Sequence, residues 1–371
     1  MVLFIITGFL LLLYTWLMFY YSTAWNELPS FSKNAVPPSV RFSVIIPARN
    51  EEKNIAALLS TLQKQDYPQN LFEVIVVDDH STDGTAGIVS QFPGVRLISL
   101  TDDGINSYKK KAVETGIAAA SYEWIVCTDA DCLALPTWLS TIAAFIEKEN
   151  PAFIAAPVLM QNNQSLLQTF QSMDFRVLQG ITGASVHRNI YAMCNGANLA
   201  YPKNIFTEVG GFSGVDHLAS GDDMLLMEKI RKKYPDRIRF LKSQDAIVTT
   251  TPMESWPAFF QQRIRWASKT FYYKNAKIIA VLSGVYLFNL AFPVLLIAGY
   301  WCWYYWAAAA GLWVLKTMVE LPFYSSVSRF FGLKTNVIEF FVMQPLHIVY
   351  TIISGLFSQL GTYNWKGRKV K

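Results

Sequence analysis

Glycine-rich phosphate loops are missing from this chain. No Gly-x-Gly-x-x-Gly follows any β-rich run, and no glycine-rich loop ends in Lys-Ser or Lys-Thr, which argues against dinucleotide-binding and ATPase classes. Cysteine is scarce, and the four present, Cys127, Cys132, Cys194 and Cys302, lack the paired spacing of a zinc site. The first three fall in a segment read below as cytoplasmic, where thiols stay reduced, so they are expected to be buried thiols. A strong charge of one sign is also absent: the net charge is only +5, and much of the basic excess flanks apolar runs. Attraction to anionic lipid headgroups accounts for that placement, and no nucleic-acid partner is expected.

What the chain does have is apolar sequence at both ends. Hydrophobic residues make up 52% of its 371 residues. Val2 to Tyr20 runs without a charge, which matches the roughly 20 residues needed to cross a bilayer. It has no basic flank or small-x-small cleavage site, so it reads as an anchor over residues 1–22 and not as a cleaved signal. Ile278 to Gly299 and Trp301 to Leu321 are two further candidate spans joined by little more than a turn. A fourth segment, Val337 to Leu360, is interrupted by Glu339, Gln344, Pro345 and His347, and could span, re-enter or lie at the interface. Arg41, Arg49 and Lys53 follow the first span, and Lys269, Lys274 and Lys277 crowd the next, so the positive-inside rule puts the central domain in the cytoplasm. The expectation is an integral protein of a bacterial-type inner or plasma membrane. The basic tail over residues 362–371, with Lys366, Arg368, Lys369 and Lys371, also favours the inside. Four full spans from an outer N-terminus would leave it outside, so either the fourth segment does not span or the tail breaks the rule.

Between Phe42 and about Ser165, short β-rich runs alternate with helical periodicity, the pattern of a mostly parallel sheet with crossover helices. The predicted strands are Phe42 to Pro47, Glu73 to Val77, Val95 to Ser99, Glu123 to Thr128 and Phe153 to Pro157. Asn50 is placed to cap a helix whose Ile55, Leu58, Leu59 and Leu62 form one buried stripe. In such sheets ligands gather beyond the carboxyl ends of the strands. There the sequence places Ala48 to Glu51, Asp78 to Asp83, and Asp129 to Asp131.

Asp129-Ala130-Asp131 sets two carboxylates one residue apart at a strand end, suited to a divalent cation that also takes diphosphate oxygens. Asp is common in turns, so a loop or capping role competes with that reading. Capping accounts for Ser81 and Asp83 and leaves Asp79 as an acceptor for the N–H of a base. Asp222 and Asp223 follow Gly221 at a helix start, where they either complement the helix dipole or supply a general base. Gln262, Arg265 and Trp266 share one face of an amphipathic helix expected over residues 253–276. On another face, Trp256, Phe259, Phe260, Ile264, Ala267 and Phe271 form an apolar stripe. Arg265 could neutralise a diphosphate and Trp266 stack against an acceptor, or the helix could simply pack at the interface.

Taken in order, these residues closely resemble glycosyltransferase family 2, the membrane-bound inverting sugar transferases of GT-A fold. The match runs from Val44-Ile45-Ile46-Pro47-Ala48-Arg49-Asn50-Glu51 through Asp79, Lys109, Asp129-Ala130-Asp131, Asn195-Gly196-Ala197-Asn198 and Gly210-Gly211-Phe212. It continues through Asp223 to Gln262, Arg265 and Trp266. The resemblance implies an α/β, Rossmann-like GT-A catalytic domain over residues 40–252, with transmembrane helices before it and over residues 277–361. It implies a nucleotide-sugar donor, usually a UDP-sugar, with Pro47, Arg49, Glu51 and Asp79 around the nucleoside and Lys109 near the diphosphate. Asp129 and Asp131 would serve the nucleotide and a Mg or Mn ion, with Asp131 first for direct coordination, and Asp223 would be the base. Gln262, Arg265 and Trp266 resemble those of ceramide glucosyltransferases and of processive synthases of the cellulose or poly-N-acetylglucosamine type. The acceptor is therefore a membrane lipid or a growing glycan, and a lipid is expected because the spans are few. A catalytically idle nucleotide-sugar-binding subunit is a distant alternative. Two departures stand out: Asp222 holds a place where the family commonly has Glu, and Ala112-Val113-Glu114 replaces the usual Ala-Leu-Asn.

Overall fold

The computed structural model describes residues 1–33, 38–102, 107–162, 165–190, 193–216, 218, 221–268, 276–358, 363–365 and 368–370. In chain order its elements begin with α1 (Val2–Glu27), β1 (Phe42–Ala48), α2 (Ile55–Gln63), β2 (Phe72–Asp78), α3 (Thr85–Val89), β3 (Val95–Ser99) and α4 (Tyr108–Ala119). Next come β4 (Trp124–Cys127), β5 (Cys132–Ala134), α5 (Trp138–Glu149), β6 (Phe153–Ala155), β7 (Val158–Met160), α6 (Leu166–His187), β8 (Leu199–Pro202), α7 (Lys203–Glu208) and α8 (Asp222–Lys233). The remainder are β9 (Ile238–Phe240), β10 (Val248–Thr250), α9 (Trp256–Ser268), α10 (Ala276–Ala298), α11 (Tyr304–Phe330), α12 (Val337–Phe357), β11 (Tyr363–Trp365) and β12 (Arg368–Val370). The chain forms two compact units. A helical unit comprises Met1–Glu27, Asn162–Ile190 and Met253–Tyr363, and a sheet unit comprises Leu28–Gln161, Tyr191–Pro252 and Asn364–Lys371.

The sheet unit is built on a seven-stranded sheet in the order β3-β2-β1-β4-β8-β6-β9. β3, β2, β1 and β4 are parallel, β8 runs antiparallel to both β4 and β6, and β9 is parallel to β6. Val44, Ile45 and Ile46 of β1 are fully buried, the unbroken apolar run of a strand covered on both faces. The five strands expected from sequence are all present, within two residues at either end, and the mixed, mostly parallel GT-A-like sheet is as the sequence implies. A second sheet, β5-β10-β7, begins directly after Asp131.

Ile55, Leu58, Leu59 and Leu62 are the buried face of α2, as their spacing predicts. Asn50 does not cap that helix. It sits outside it with φ 51, and its Oδ1 accepts from Thr82 N at 2.8 Å. A short polar side chain that can bond the facing loop tolerates the left-handed conformation and is withdrawn from the helix end. α4 lies close on β1 because Gly116 has no side chain: a Cβ there would meet Ile45 Cγ2 at 2.6 Å.

In the helical unit α1 packs against α6, α10 and α11, and α12 packs against α9, α10 and α11. α1, α10 and α12 are long and apolar enough to cross a membrane. The expected span over Trp301 to Leu321 differs. Its helix, α11, runs to Phe330, buries Lys316 against Glu320 with Nζ–Oε1 2.6 Å, and is not among those three. The interrupted fourth segment, by contrast, qualifies as a span over Val337–Phe357. Expectations that rested on Lys269, Phe271, Lys274, Lys366 and Lys371 fall outside the described residues.

Candidate active site

The carboxyl ends of β1 and β2 carry two facing loops that hold each other. Asp79 N donates to Ala48 O at 2.8 Å. Arg49 Nη1 donates to the Asp79 and His80 carbonyls at 2.7 and 2.9 Å and lies 3.9 Å from Asp79 Oδ1. His80 Nδ1 is 3.1 Å from the same oxygen, so Asp79 is held in place from its protein side. Asn50 and His80, one in each loop, have φ 51 and 52. Backbone in this region is costly for residues other than glycine and concentrates where a loop must present its side chains in one way. Glu51 is buried, with its N donating to Thr85 Oγ1 and its Oε2 accepting from Asn54 Nδ2, both at 2.8 Å. Asp78 Oδ1 is buried without a hydrogen-bond partner among the described residues. Pro47 is the penultimate residue of β1, in register with Val77.

Around the ends of β4, α4 and α8 lies a second cluster. Lys109 Nζ donates to Asp129 Oδ1 at 2.8 Å and sits 3.3 Å from Asp222 Oδ2. Burial opposes the ammonium charge, but Asp129, Asp222 and Asp223 outweigh it and raise the lysine's pKa, so it is cationic throughout the physiological range. Gly221, with φ 84, makes the sharp entry to α8 that presents Asp222 and Asp223. Asp223 is buried, its Oδ2 accepting from Gly196 N at 3.2 Å and its Oδ1 from Met224 N at 2.7 Å. A Cβ on Gly196 would stand 3.2 Å from Lys109 Nζ and 3.3 Å from Asp222 Oδ2, so this glycine lets the loop close on the cluster.

The Asn195 to Asn198 segment divides its labour. Asn198 is fully buried, donating to the Pro157 and Ala246 carbonyls at 2.9 Å each and accepting from Trp138 Nε1 at 3.0 Å, so it ties strands together. Glu114, at the departure in α4, accepts from Phe212 N at 3.3 Å and anchors the Gly210-Gly211-Phe212 turn. Asp131 lies in the turn between β4 and β5, where Cys132 Sγ donates to its Oδ1 at 3.6 Å. Burial first, and Asp131 second, push the Cys132 thiol well up. No group of three or more His, Cys, Asp or Glu side chains among the described residues is placed to hold a metal. Asp129 and Asp131 are hard oxygen donors, and a pair of carboxylates completed by substrate phosphates is the usual protein share of a Mg or Mn site.

Gln262, Arg265 and Trp266 lie on α9, in the helical unit, while every other predicted site residue belongs to the sheet unit. All three are half-buried, and Gln262 Oε1 is buried without a hydrogen-bond partner among the described residues. Trp266 meets Phe175 at 6.0 Å between centroids. Sequence reasoning passed over Gly196 as a packing partner, Asp222 as a lysine partner, and Arg263. Arg263 is one helical turn beyond the buried Phe259, which is a legible signal. Its partner Asp174, on α6, has none.

Residues 43–214 match the family described as Glycosyl transferase family 2. Over those residues the chain is similar to glycosyltransferase family 2. It is a glycosyltransferase. The probable glycosyltransferase YdaM of Bacillus subtilis (strain 168) is 23% identical over 367 residues, covering 90% of this chain and 84% of YdaM. A second relative is the UDP-Glc:alpha-D-GlcNAc-diphosphoundecaprenol beta-1,3-glucosyltransferase WfgD of Escherichia coli. It is 31% identical over 131 residues, covering 34% of this chain and 49% of WfgD. The fold is also that of the mannosyltransferase PcManGT from Pyrobaculum calidifontis, solved with GDP-Man and Mn2+, at TM-score 0.59 and 20% identity over 96% of this chain and 97% of that one.

Proposed function

We propose that this glycosyltransferase moves a sugar, with inversion, from a nucleoside-diphosphate sugar to a hydroxyl of a membrane lipid on the cytoplasmic face. The carrying observation is the Asp129–Lys109–Asp222 cluster beside a buried, doubly held Asp223, in a chain that also has three helices fit to cross a membrane. The lipid-linked acceptor in WfgD's name supports the acceptor class, and the GDP-Man and Mn2+ with PcManGT support a nucleotide-sugar donor and a divalent cation.

In this reading Pro47, Arg49, Glu51 and Asp79 receive the nucleoside, and Lys109 and Arg265 balance the charge left on the diphosphate. Asp223 takes the proton from the acceptor hydroxyl, whose oxygen then displaces the diphosphate at the anomeric carbon. The Gly196 and Met224 amides fix how the Asp223 carboxylate is aimed. Trp266 offers the acceptor a stacking face. A Mg or Mn ion held by Asp131 and Asp129 would supply Lewis-acid stabilisation of the leaving diphosphate. The test is to reconstitute the protein in lipid with a panel of nucleotide sugars and read the product by mass spectrometry. A lipid bearing one sugar is expected. A long glycan growing while enzyme-bound would replace this reading with the processive one.

A further inference from the structure

Within the helical unit, Arg263 and Asp174 are 3% and 6% exposed, and Arg263 Nη2 stands 2.8 Å from Asp174 Oδ2. Asp174 Oδ1 accepts from Tyr350 OH at 2.6 Å and lies 4.0 Å from His347 Nε2. One carboxylate on α6 thus joins α9 and α12. The guanidinium centre is 4.2 Å from the Trp266 ring centroid, 5.0 Å from Phe259 and 5.8 Å from Tyr350, so the cation is stacked in aromatic walls, one of them a residue of the Gln-x-x-Arg-Trp set. One turn earlier on α6, Gln171 exchanges two hydrogen bonds with Met253, Oε1 accepting from its N at 3.0 Å and Nε2 donating to its O at 2.9 Å.

We propose that Asp174 and Arg263 are positioning residues: the buried pair sets the rotation of α9 and so aims Gln262, Arg265 and Trp266. This rests on the reading that those three serve the diphosphate and acceptor. Gln171 fixes where the chain enters α9, but a single anchor at one end leaves rotation about the axis open. The apolar contacts of Phe259 with Phe170 and Tyr350 are non-directional and tolerate rotation. An ion pair inside an aromatic cage does not, since turning the helix would strand a buried charge. At 3.6 residues per turn, an inward Arg263 puts Trp266, Gln262 and Arg265 about 60°, 100° and 160° around the same side of the helix. A modest rotation would therefore swing all three together. Arg263 meets Asp174 as an ion pair and makes no hydrogen bond among the described residues, so lysine would keep the charge and lose the flat stacking on Trp266.

The test uses full-length protein in lipid and reads donor dissociation constant, donor hydrolysis by water, transfer to acceptor and thermal midpoint. Asp174→Asn and Arg263→Lys should each lower transfer on the order of tenfold or more, as small misplacements of positioning groups do, with the thermal midpoint kept and with donor affinity and hydrolysis, which lose only the displaced Arg265, falling clearly less than transfer. Asp174→Glu should recover part of the loss. Should Asp174→Asn not fold, Arg263→Lys, which keeps the buried charge, carries the same comparison. Trp266→Ala is the reference. If Trp266→Ala shifts the transfer-to-hydrolysis ratio and the folded pair variants do not, the positioning role is overturned. If the pair variants lose hydrolysis, transfer and thermal midpoint in parallel, the pair is merely structural and the proposal fails. If Trp266→Ala leaves the ratio unchanged, the reading of α9 falls and this inference with it.

Discussion

Asp223 illustrates how far one residue can be read. Its place after Gly221 in an acidic helix start is equally what a helix dipole asks for, and the sequence keeps both roles open. The structure adds two backbone donors, from Gly196 and Met224, that fix the carboxylate's direction. Asp223→Asn should leave the donor dissociation constant nearly unchanged while lowering turnover about a hundredfold or more. Isothermal titration alongside initial rates separates the two, and weak donor binding with a normal saturated rate would make Asp223 a binding residue. Lys242 has no motif to announce it. Burial pulls its ammonium down to about 8, with Nζ donating to Leu28 O at 3.0 Å. The unfolded chain, with a lysine near 10.4, therefore binds more protons between about 8 and about 10.4, and stability contributed at this position rises with pH across that window. Thermal midpoints from pH 7.5 to 10 should climb more steeply for the wild type than for Lys242→Met, and equal slopes would refute it.

At the scale of elements, the parallel strands were legible because each is a short apolar run ending in polar residues at a sheet edge. β8, β9 and β10 were not, since their three- and four-residue lengths carry too little pattern for period or propensity to act on. The helix spacing of α2 was right and its cap wrong, because Asn50 answers to the loop after β2 and not to its own helix. In the same way Gln262, Arg265 and Trp266 were legible as a helix face, while the pair that holds that face needs Asp174, far away in sequence. The β4–β5 turn carries its own prediction. Asp129 is shared with Lys109, whereas Asp131 stands in the turn itself, so Asp131→Asn should abolish cation-dependent turnover because an amide is an uncharged, poorer ligand for a hard ion. Donor turnover assayed with excess chelator should fall likewise, and full activity there would sink the metal assignment.

For the whole molecule the open matter is which side of the membrane each end of the helical unit faces, and one cysteine makes it measurable. Cys127, Cys132 and Cys194 are buried out of a reagent's reach, and burial also pushes the Cys127 thiol up to about 12 and the Cys132 thiol well up. Cys302 is partly exposed in the turn between α10 and α11. Around it Tyr300, Trp301, Trp303 and Tyr304 are exposed, the composition of a membrane–water interface. Lys277 at the start of α10 favours the cytoplasm, so a crossing α10 delivers Cys302 to the outer face. A membrane-impermeant maleimide added to intact cells should label the protein, and Cys302→Ser should remove that label. α11, which is not among the three helices fit to cross, buries its Lys316 charge against Glu320 at 2.6 Å and Gln344 Oε1 at 2.5 Å. Labelling that occurs only in inverted vesicles would place the turn inside, reverse the orientation drawn from the loop charges, and move the proposed transfer to the opposite face.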